Sequence, residues 1–547
     1  MGNLSLPKMA CAVFVFCVVI AISLHATTTF TSLLSFDGTN GTDPDAGLVQ
    51  GFNGNFYGTT YYGGAMDYGT VFEITPGGTL TTLHSFENSP DGASPNAGLV
   101  QATNGNLYGT TVYGGSDKCP SGCGTVFEIT AASKLTTLFS FDSTDGAHPY
   151  AGLVQATNGN LYGTTVDGGA HGEGTVFEIT AAGRLTTLFS FESTDGAFPY
   201  AGLVQATNGN LYGTTTYGGA NNYGTVFEIT PAGKLTTLFS FDSTNGAYPY
   251  AGLVQAMTPS SPTNGNFYGT TYEGGAKGDG TVFEITAAGK LTTLFSFDST
   301  DGAHPYAALV QATNGNFYGA AYQGGAKGEG TVFEITAAGK LTTLFSFDST
   351  DGAYPYAGLV QATNGNFYGA TLQGGATSDG TVFSLSVGLG PFVETLPAFG
   401  IEKATIIILG TNLTGATKVT FGGTEATFSV VSSSEIKAAV PSGAKTGTVE
   451  VTTPKGTLQS NLIFQVTPQL TSFTPTSGVV GTSVKITGTE LTDTTQVTFG
   501  GVKATDFTPV SDSEVTADVP TGAKTGKIAI TTPGGTSTSA ASFTVTP

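Results

Sequence analysis

The tetrapeptide Gly-Leu-Val-Gln, with Ala replacing Gly in one copy, begins at positions 47, 98, 152, 202, 252, 308 and 358. Its spacings of 51, 54, 50, 50, 56 and 50 residues divide most of the chain into seven units. A period of this length restricts the fold to solenoids, propellers or arrays, because one unit alone cannot bury its apolar face. The two longest spacings carry inserts, Cys119-Pro-Ser-Gly-Cys123 in unit two and Met257-Thr-Pro-Ser-Ser-Pro262 in unit five.

Within each unit the apolar residues follow the period of strands and never that of helices. In the third unit, residues 153–156, 161–166, 174–180 and 185–191 read as four successive strands. An Asn-Gly pair such as Asn158-Gly159 follows the first of them in all seven units. It predicts a two-residue hairpin with both residues at positive φ. Four strands per unit of this length predict propeller blades. Unit seven stops at Leu385 without its Leu-Thr-Thr-Leu-Phe-Ser-Phe strand, and the chain carries a matching Phe-Thr-Ser-Leu-Leu-Ser-Phe at 30–36. An N-terminal strand that completes the last blade leaves no sheet edge open to aggregation. The fold expected over residues 29–387 is therefore all-β, a closed seven-bladed β-propeller with four strands per blade.

Four segments recur in order: Asp-Gly-Ala-x-Pro-x-Ala-Gly-Leu-Val, Asn-Gly-Asn-Leu-Tyr-Gly-Thr-Thr, Gly-Gly-Ala and Gly-Thr-Val-Phe-Glu-Ile-Thr. In these motifs the chain resembles the GloVer (Gloeo/Verruco) tandem repeats of exported bacterial proteins. The resemblance implies a propeller-like exported array and transfers no catalytic residues.

Past Pro391 the 50-residue period ends and a second one begins. The segment from Gly410 to Gly423 returns 78 positions later as Gly488 to Gly501, and Val440-Pro-Ser-Gly-Ala-Lys-Thr-Gly447 returns as Val519-Pro-Thr-Gly-Ala-Lys-Thr-Gly526. Alternating strands and Gly/Pro turns predict two immunoglobulin-like β-sandwiches, at 388–467 and 468–547. Pro475-Thr-Ser-Gly478, Ile486-Thr-Gly488 and Val497-Thr-Phe-Gly-Gly501 resemble IPT/TIG domains, which implies a spacer or adhesion module. The first copy departs from that pattern at Pro397-Ala-Phe-Gly400, which leaves its first strand open.

Composition bears on partner and compartment. With 39 acidic against 18 basic residues and a net charge of −21, the surface repels phosphate backbones and excludes nucleic acid as a partner. Lys8, the apolar run to Leu24 and the small Ala26 predict a secretory signal peptide at 1–26; an uncleaved anchor is the competing reading. No second apolar span follows, so no membrane span is expected once the signal is removed. In an exported, oxidising compartment Cys119 and Cys123 are expected to form a disulfide. A zinc half-site, the other reading of the pair, lacks a second Cys or His pair.

No nucleophile motif, phosphate loop or zinc helix is present, so no catalytic residue, metal site or cofactor is assigned. Asp142-Ser-Thr-Asp145-Gly146 recurs from residues 192, 242, 298 and 348, with Glu or Asn substituted in two copies. Such a pair of oxygens can contribute to a calcium loop, whereas Asp-Gly also makes turns by itself. The strand glutamates Glu73, Glu128, Glu178, Glu228, Glu284 and Glu334 are expected to hydrogen-bond at a blade edge.

Comparing the copies locates the variation. The hairpin turns barely change, which leaves the loops before strand one and between strands two and three, on the opposite rim, as the variable surface. His148, Phe198, Tyr248, His304 and Tyr354 form one varied set there. Tyr150, Tyr200, Tyr250, Tyr306 and Tyr356 precede the innermost strand and are expected to ring the channel mouth, interrupted by Asp45 and Asn96 in units one and two. Tyr beside Asp and Asn suits stacking on and hydrogen bonding to a sugar or a peptide. The competing reading is that each Tyr packs on its neighbouring blade.

The function expected is a secreted or cell-surface, monomeric, non-catalytic recognition or adhesion protein for an extracellular glycan or surface protein, with weak sites adding by avidity. One rival is a propeller-type polysaccharide hydrolase or lyase. It needs two positioned carboxylates, and Asp45 stands out without an obvious partner. A purely structural matrix protein is the other rival.

Overall fold

The computed structural model describes residues 28–257 and 265–547. The expected signal peptide at 1–26 and residues 258–262 of the unit-five insert lie outside them. Every regular element among the described residues is a β-strand.

Strand β1 (Thr29–Ser35) precedes the first unit, which consists of β2 (Val49–Gln50), β3 (Phe56–Thr60), β4 (Thr70–Ile74) and β5 (Leu80–Ser85). β2 to β5 pair in order as an antiparallel four-stranded sheet, and units two to six repeat the arrangement. In the seventh sheet the last strand, Thr381–Ser386, pairs with β1, from Thr29↔Ser386 to Ser35↔Thr381. In β4, Thr70, Val71, Phe72 and Ile74 are all buried, so this strand is covered on both faces, as sheets stacked face to face require. β5 leaves Thr81 and Thr82 exposed and forms the outer edge.

Contacts between sheets run in a series that returns to its start. The backbone N–H of Phe52, Thr103, Thr157, Thr207, Met257 and Thr313 each donates to the Gln Oε1 in the first strand of the following unit, at 2.8–3.1 Å. Thr363, in unit seven, donates in the same way to Gln50 of unit one at 2.9 Å. The apolar packing repeats this order, and one buried cluster joins Phe36, Leu48, Phe56 and Phe72 to Tyr368 and Val382. Where the first strands begin, backbones nearly touch: a Cβ on Gly98 would lie 2.9 Å from the carbonyl oxygen of Gly47.

The Asn-Gly turn differs from expectation. Gly159 has φ 84°, but Asn158 is not at positive φ; the N–H of Gly159 donates to Ala156 O and that of Ala156 to Asn160 O. This is a type I turn closed by a glycine bulge, not a two-residue turn. The reason lies in the asparagine side chain. Its Oδ1 accepts the N–H of Asn160 while its Nδ2 donates to Tyr162 OH at 2.8 Å, which fixes the side chain inward. Glu178 Oε1 accepts from Asn160 Nδ2 at 2.6 Å and from Tyr162 OH at 2.9 Å, so the strand glutamate ties the hairpin to its neighbour strand.

Beyond residue 393 come two successive pairs of larger sheets, the first pair joined by a separate two-stranded sheet. The first encloses a core of Ile406, Ile408, Val419, Phe421, Ile436 and Phe464, and the second one of Val484, Ile486, Val497, Phe499, Val515 and Phe543. The opening strand left open by the sequence of the first copy is present as Glu394–Leu396. Phe399–Gly400 then pairs in parallel with Gln465–Val466, as Ser477–Gly478 pairs with Thr544 and Val545 in the second. Ser434 Oγ donates to Phe52 O at 2.9 Å, which seats the first of these pairs against a hairpin turn of unit one.

Candidate functional site

The rim is built from a repeated Xaa-Pro-Yaa loop ahead of each first strand. Xaa is Asp43, Ser94, His148, Phe198, Tyr248, His304 or Tyr354, and all seven sit at φ between 53° and 57°. A non-glycine residue pays roughly 1 kcal/mol or more for this left-handed conformation. It is imposed from outside. The N–H of each of these residues donates to the strand 2–3 loop of the preceding unit, as in His148 to Cys123 O at 2.9 Å and Tyr354 to Glu329 O at 2.8 Å. Strain of this kind, repeated seven times on one rim, marks a surface that the fold holds rigidly.

Yaa supplies the inner residues. Ring centroids run in sequence from Tyr150 to Tyr200 at 5.1 Å, Tyr200 to Tyr250 at 5.3 Å, Tyr250 to Tyr306 at 4.5 Å and Tyr306 to Tyr356 at 3.9 Å. Each tyrosine therefore packs on its neighbour, and together they make one continuous aromatic arc. Asn96 Nδ2 donates to Asp45 Oδ2 at 2.8 Å in the two remaining places. Burial holds the Tyr150, Tyr250, Tyr306 and Tyr356 phenols well above their ordinary range, so all stay neutral donors. Burial, reinforced by the Asp43 carboxylate, pushes Asp45 up to about 8.

The varied set from His148 to Tyr354 joins the arc through residues that its own variation does not single out. Tyr272 stacks on His304 at 4.6 Å, Tyr217 lies 5.2 Å from Tyr248 and 6.0 Å from Phe198, and Tyr322 lies 5.2 Å from Tyr354. His148 meets Tyr113 at 5.4 Å, and its Nδ1 lies 2.9 Å from Asp167 Oδ2. Tyr61, Tyr62, Tyr113, Tyr217, Tyr272 and Tyr322 all stand one or two positions before a Gly-Gly pair, at sites that differ from copy to copy. That variation was the available signal.

Unsatisfied polarity gathers on the same rim. In the described part of residues 28–387, the buried side-chain atoms without a hydrogen-bond partner are Asp45 Oδ1, His148 Nε2 and Glu173 Oε2. Native folds rarely leave such atoms unpaired, and each calls for an explanation.

The repeated Asp pairs serve turns. Asp142 Oδ1 accepts from Thr144 Oγ1 at 2.6 Å and from its N–H at 3.1 Å, while Asp145 Oδ1 accepts the N–H of Asp142 at 3.2 Å. Among the described residues no three His, Cys, Asp or Glu side chains converge as metal ligands would. Cys119 and Cys123 form the expected disulfide in the strand 2–3 loop of unit two. No helix among the described residues is long and apolar enough to cross a membrane.

No curated protein matches the sequence. Among solved structures, the chain is similar to a fungal alcohol oxidase of the AA5 family in complex with copper, at 12% identity and TM-score 0.46, over 80% of this chain and 98% of that one. It is also similar to SGBP-B from a xyloglucan utilization locus in Bacteroides uniformis, at 21% identity and TM-score 0.15, over 28% of this chain and 48% of that one. A third is a surface glycan-binding protein from Prevotella bryantii, at 17% identity and TM-score 0.20, over 26% of this chain and 37% of that one. The chain spans less than half the length of these last two. The IPT/TIG domain matches residues 468–545, where the second pair of sheets lies. The Gloeobacter/Verrucomicrobia repeat matches residues 18–206, 120–258 and 255–431 in succession, covering all seven sheets, and the chain belongs to that family.

Proposed function

We propose that this is an exported, non-catalytic glycan-recognition protein. Residues 29–387 form a closed seven-bladed propeller that presents the aromatic rim, and immunoglobulin-like sandwiches at 388–467 and 468–547 carry it as a spacer. The observation that carries the reading is the unbroken arc from Tyr150 to Tyr356 beside the hydrogen-bonded Asp45–Asn96 pair. Neutral phenols, an amide and a carboxyl on one rigid surface offer stacking faces and hydrogen-bond partners together, which is what a sugar ring takes up. The unit-to-unit hydrogen bonds that end on Gln50 support closure. Glycosidic cleavage calls for two spaced carboxyls acting together, whereas the hydrogen-bond partner of Asp45 is an amide.

The full chain applied to an array of extracellular oligosaccharides, alongside a reducing-end release assay on the same glycans, tests this. Binding without release is the expected result. Release of new reducing ends would establish the hydrolase reading, an unsaturated product the lyase reading, and no binding to any glycan would leave the structural-matrix role.

A further inference from the structure

Seven nearly identical units need not make seven equal sites, and unit one differs from the others in two independent ways. Its rim exposes Tyr62 (44%), Met66 (60%) and Tyr68 (38%), and among the described residues of 28–387 no other large apolar or aromatic side chain is exposed. The same unit supplies Asp45, whose Oδ1 is the buried polar atom without a partner at the inner positions. Tyr62 crosses Tyr61 edge to face at 4.6 Å, so its ring is braced from behind and open in front. Asp43, Asp45 and Asp67 lie close enough to raise the Tyr62 phenol along with burial, and Asp379 of unit seven reaches Thr42 Oγ1 at 3.3 Å. Among the described residues none of these four carboxyls has a basic partner within ion-pair distance.

We propose that the sector of Tyr62, Asp45 and Asn96 is the single strong subsite of the rim, and that it takes an uncharged pyranose unit. The inference rests on the glycan reading above and narrows it. The apolar face of the sugar stacks on Tyr62, and its hydroxyls meet the outward edge of the Asp45–Asn96 pair, both members of which are half-buried. Asp43, Asp67 and Asp379, carboxyls without counter-charges, repel uronic acids, so the ligand chain is not acidic.

Isothermal titration of the full chain with cellohexaose, xylohexaose, mannohexaose and hexagalacturonate tests both parts. Expected are one bound uncharged hexaose per chain, no binding of hexagalacturonate, and at least a tenfold loss of affinity in Tyr62→Ser and in Asn96→Ala. Gln323→Ala, at the equivalent position of unit six, should stay within twofold of the unaltered chain. Tyr62 is exposed, so Tyr62→Ser reads binding even if Asn96→Ala perturbs folding. Affinity retained in both variants, or preference for hexagalacturonate, overturns the subsite while the glycan reading stands. Failure of the unaltered chain to bind any hexaose overturns both.

Discussion

The backbone N–H of Thr363 donates to Oε1 of Gln50 at 2.9 Å, joining residues 313 positions apart. Thr313 makes the same bond to Gln361 at 3.0 Å, only 48 positions away. Unit seven thus treats unit one as each unit treats its successor, although the chain between them is the whole repeat array. β1 secures the preceding junction, between units six and seven, because Phe30 stacks on Phe345 at 3.9 Å and lies 5.3 Å from Phe383. Removing the Phe30 ring leaves a gap between units six and seven, and Phe30→Ala should cost about 2–3 kcal/mol, the lower end for a partly exposed aromatic. Urea unfolding followed by tyrosine emission measures it, since the chain has 22 Tyr and no Trp. A midpoint unchanged by the substitution would mean that Phe30 contributes nothing to the packing of unit seven on unit six.

How much of this was legible in the sequence depends on where each cause lies. The strands, the pairing of 30–36 with the last unit and the Cys119–Cys123 disulfide follow from local pattern or from a missing copy, and all are present. The Asn158-Gly159 turn departs from the two-residue pattern because Tyr162 and Glu178, not the two turn residues, decide the asparagine's conformation. The left-handed residues from Asp43 to Tyr354 were illegible, since each is held by the hydrogen bond its N–H donates to a carbonyl of the preceding unit. The inner tyrosines could be named from their register, but not the second layer of Tyr217, Tyr272 and Tyr322 that braces them.

Two glycines at similar φ separate backbone strain from crowding. Gly224, at φ 92°, would place a Cβ 2.3 Å from Thr215 O and 2.7 Å from Pro249 Cδ of the next unit. Gly159, at φ 84°, would meet nothing within 4 Å. Gly159→Ala should cost about 1 kcal/mol, the penalty of the left-handed region alone. Gly224→Ala should cost roughly 3 kcal/mol or more, because a backbone oxygen and a buried ring must both move. Equal unfolding midpoints for the two variants would show that the contact between Gly224 and Pro249 is slack.

The disulfide closes a short loop, so its effect on stability should be small. Chain-entropy reasoning gives about 2 kcal/mol for five residues. Cys123 is buried in the cluster with Tyr108, Val126 and Phe141, whereas Cys119 lies at its margin. The double variant Cys119→Ser, Cys123→Ser should therefore remain folded, with a melting temperature lowered by a few degrees. A thiol assay on the unaltered chain, prepared under oxidising conditions, should find no free sulfhydryl at either position. Unfolding of the double variant at 37 °C would make the bond essential to the array.

Asp45 gives a pH dependence whose sign is fixed by its surroundings. In the folded chain its carboxyl titrates at about 8, far above the ordinary carboxyl value near 4 that it regains on unfolding. Between those limits the folded state holds a proton that the unfolded state has lost. The contribution of this residue is therefore complete below about pH 4, declines as pH rises, and is gone above about pH 8. The slope is at most about 1.4 kcal/mol per pH unit. Asp45→Asn retains an oxygen to accept the 2.8 Å hydrogen bond from Asn96 and has nothing to ionise. Melting temperatures of the two proteins, measured from pH 5 to pH 9, should diverge, with the unaltered chain losing stability faster toward alkaline pH. Parallel curves would mean that Asp45 is already ionised at pH 5 and that its unpaired Oδ1 is satisfied by solvent.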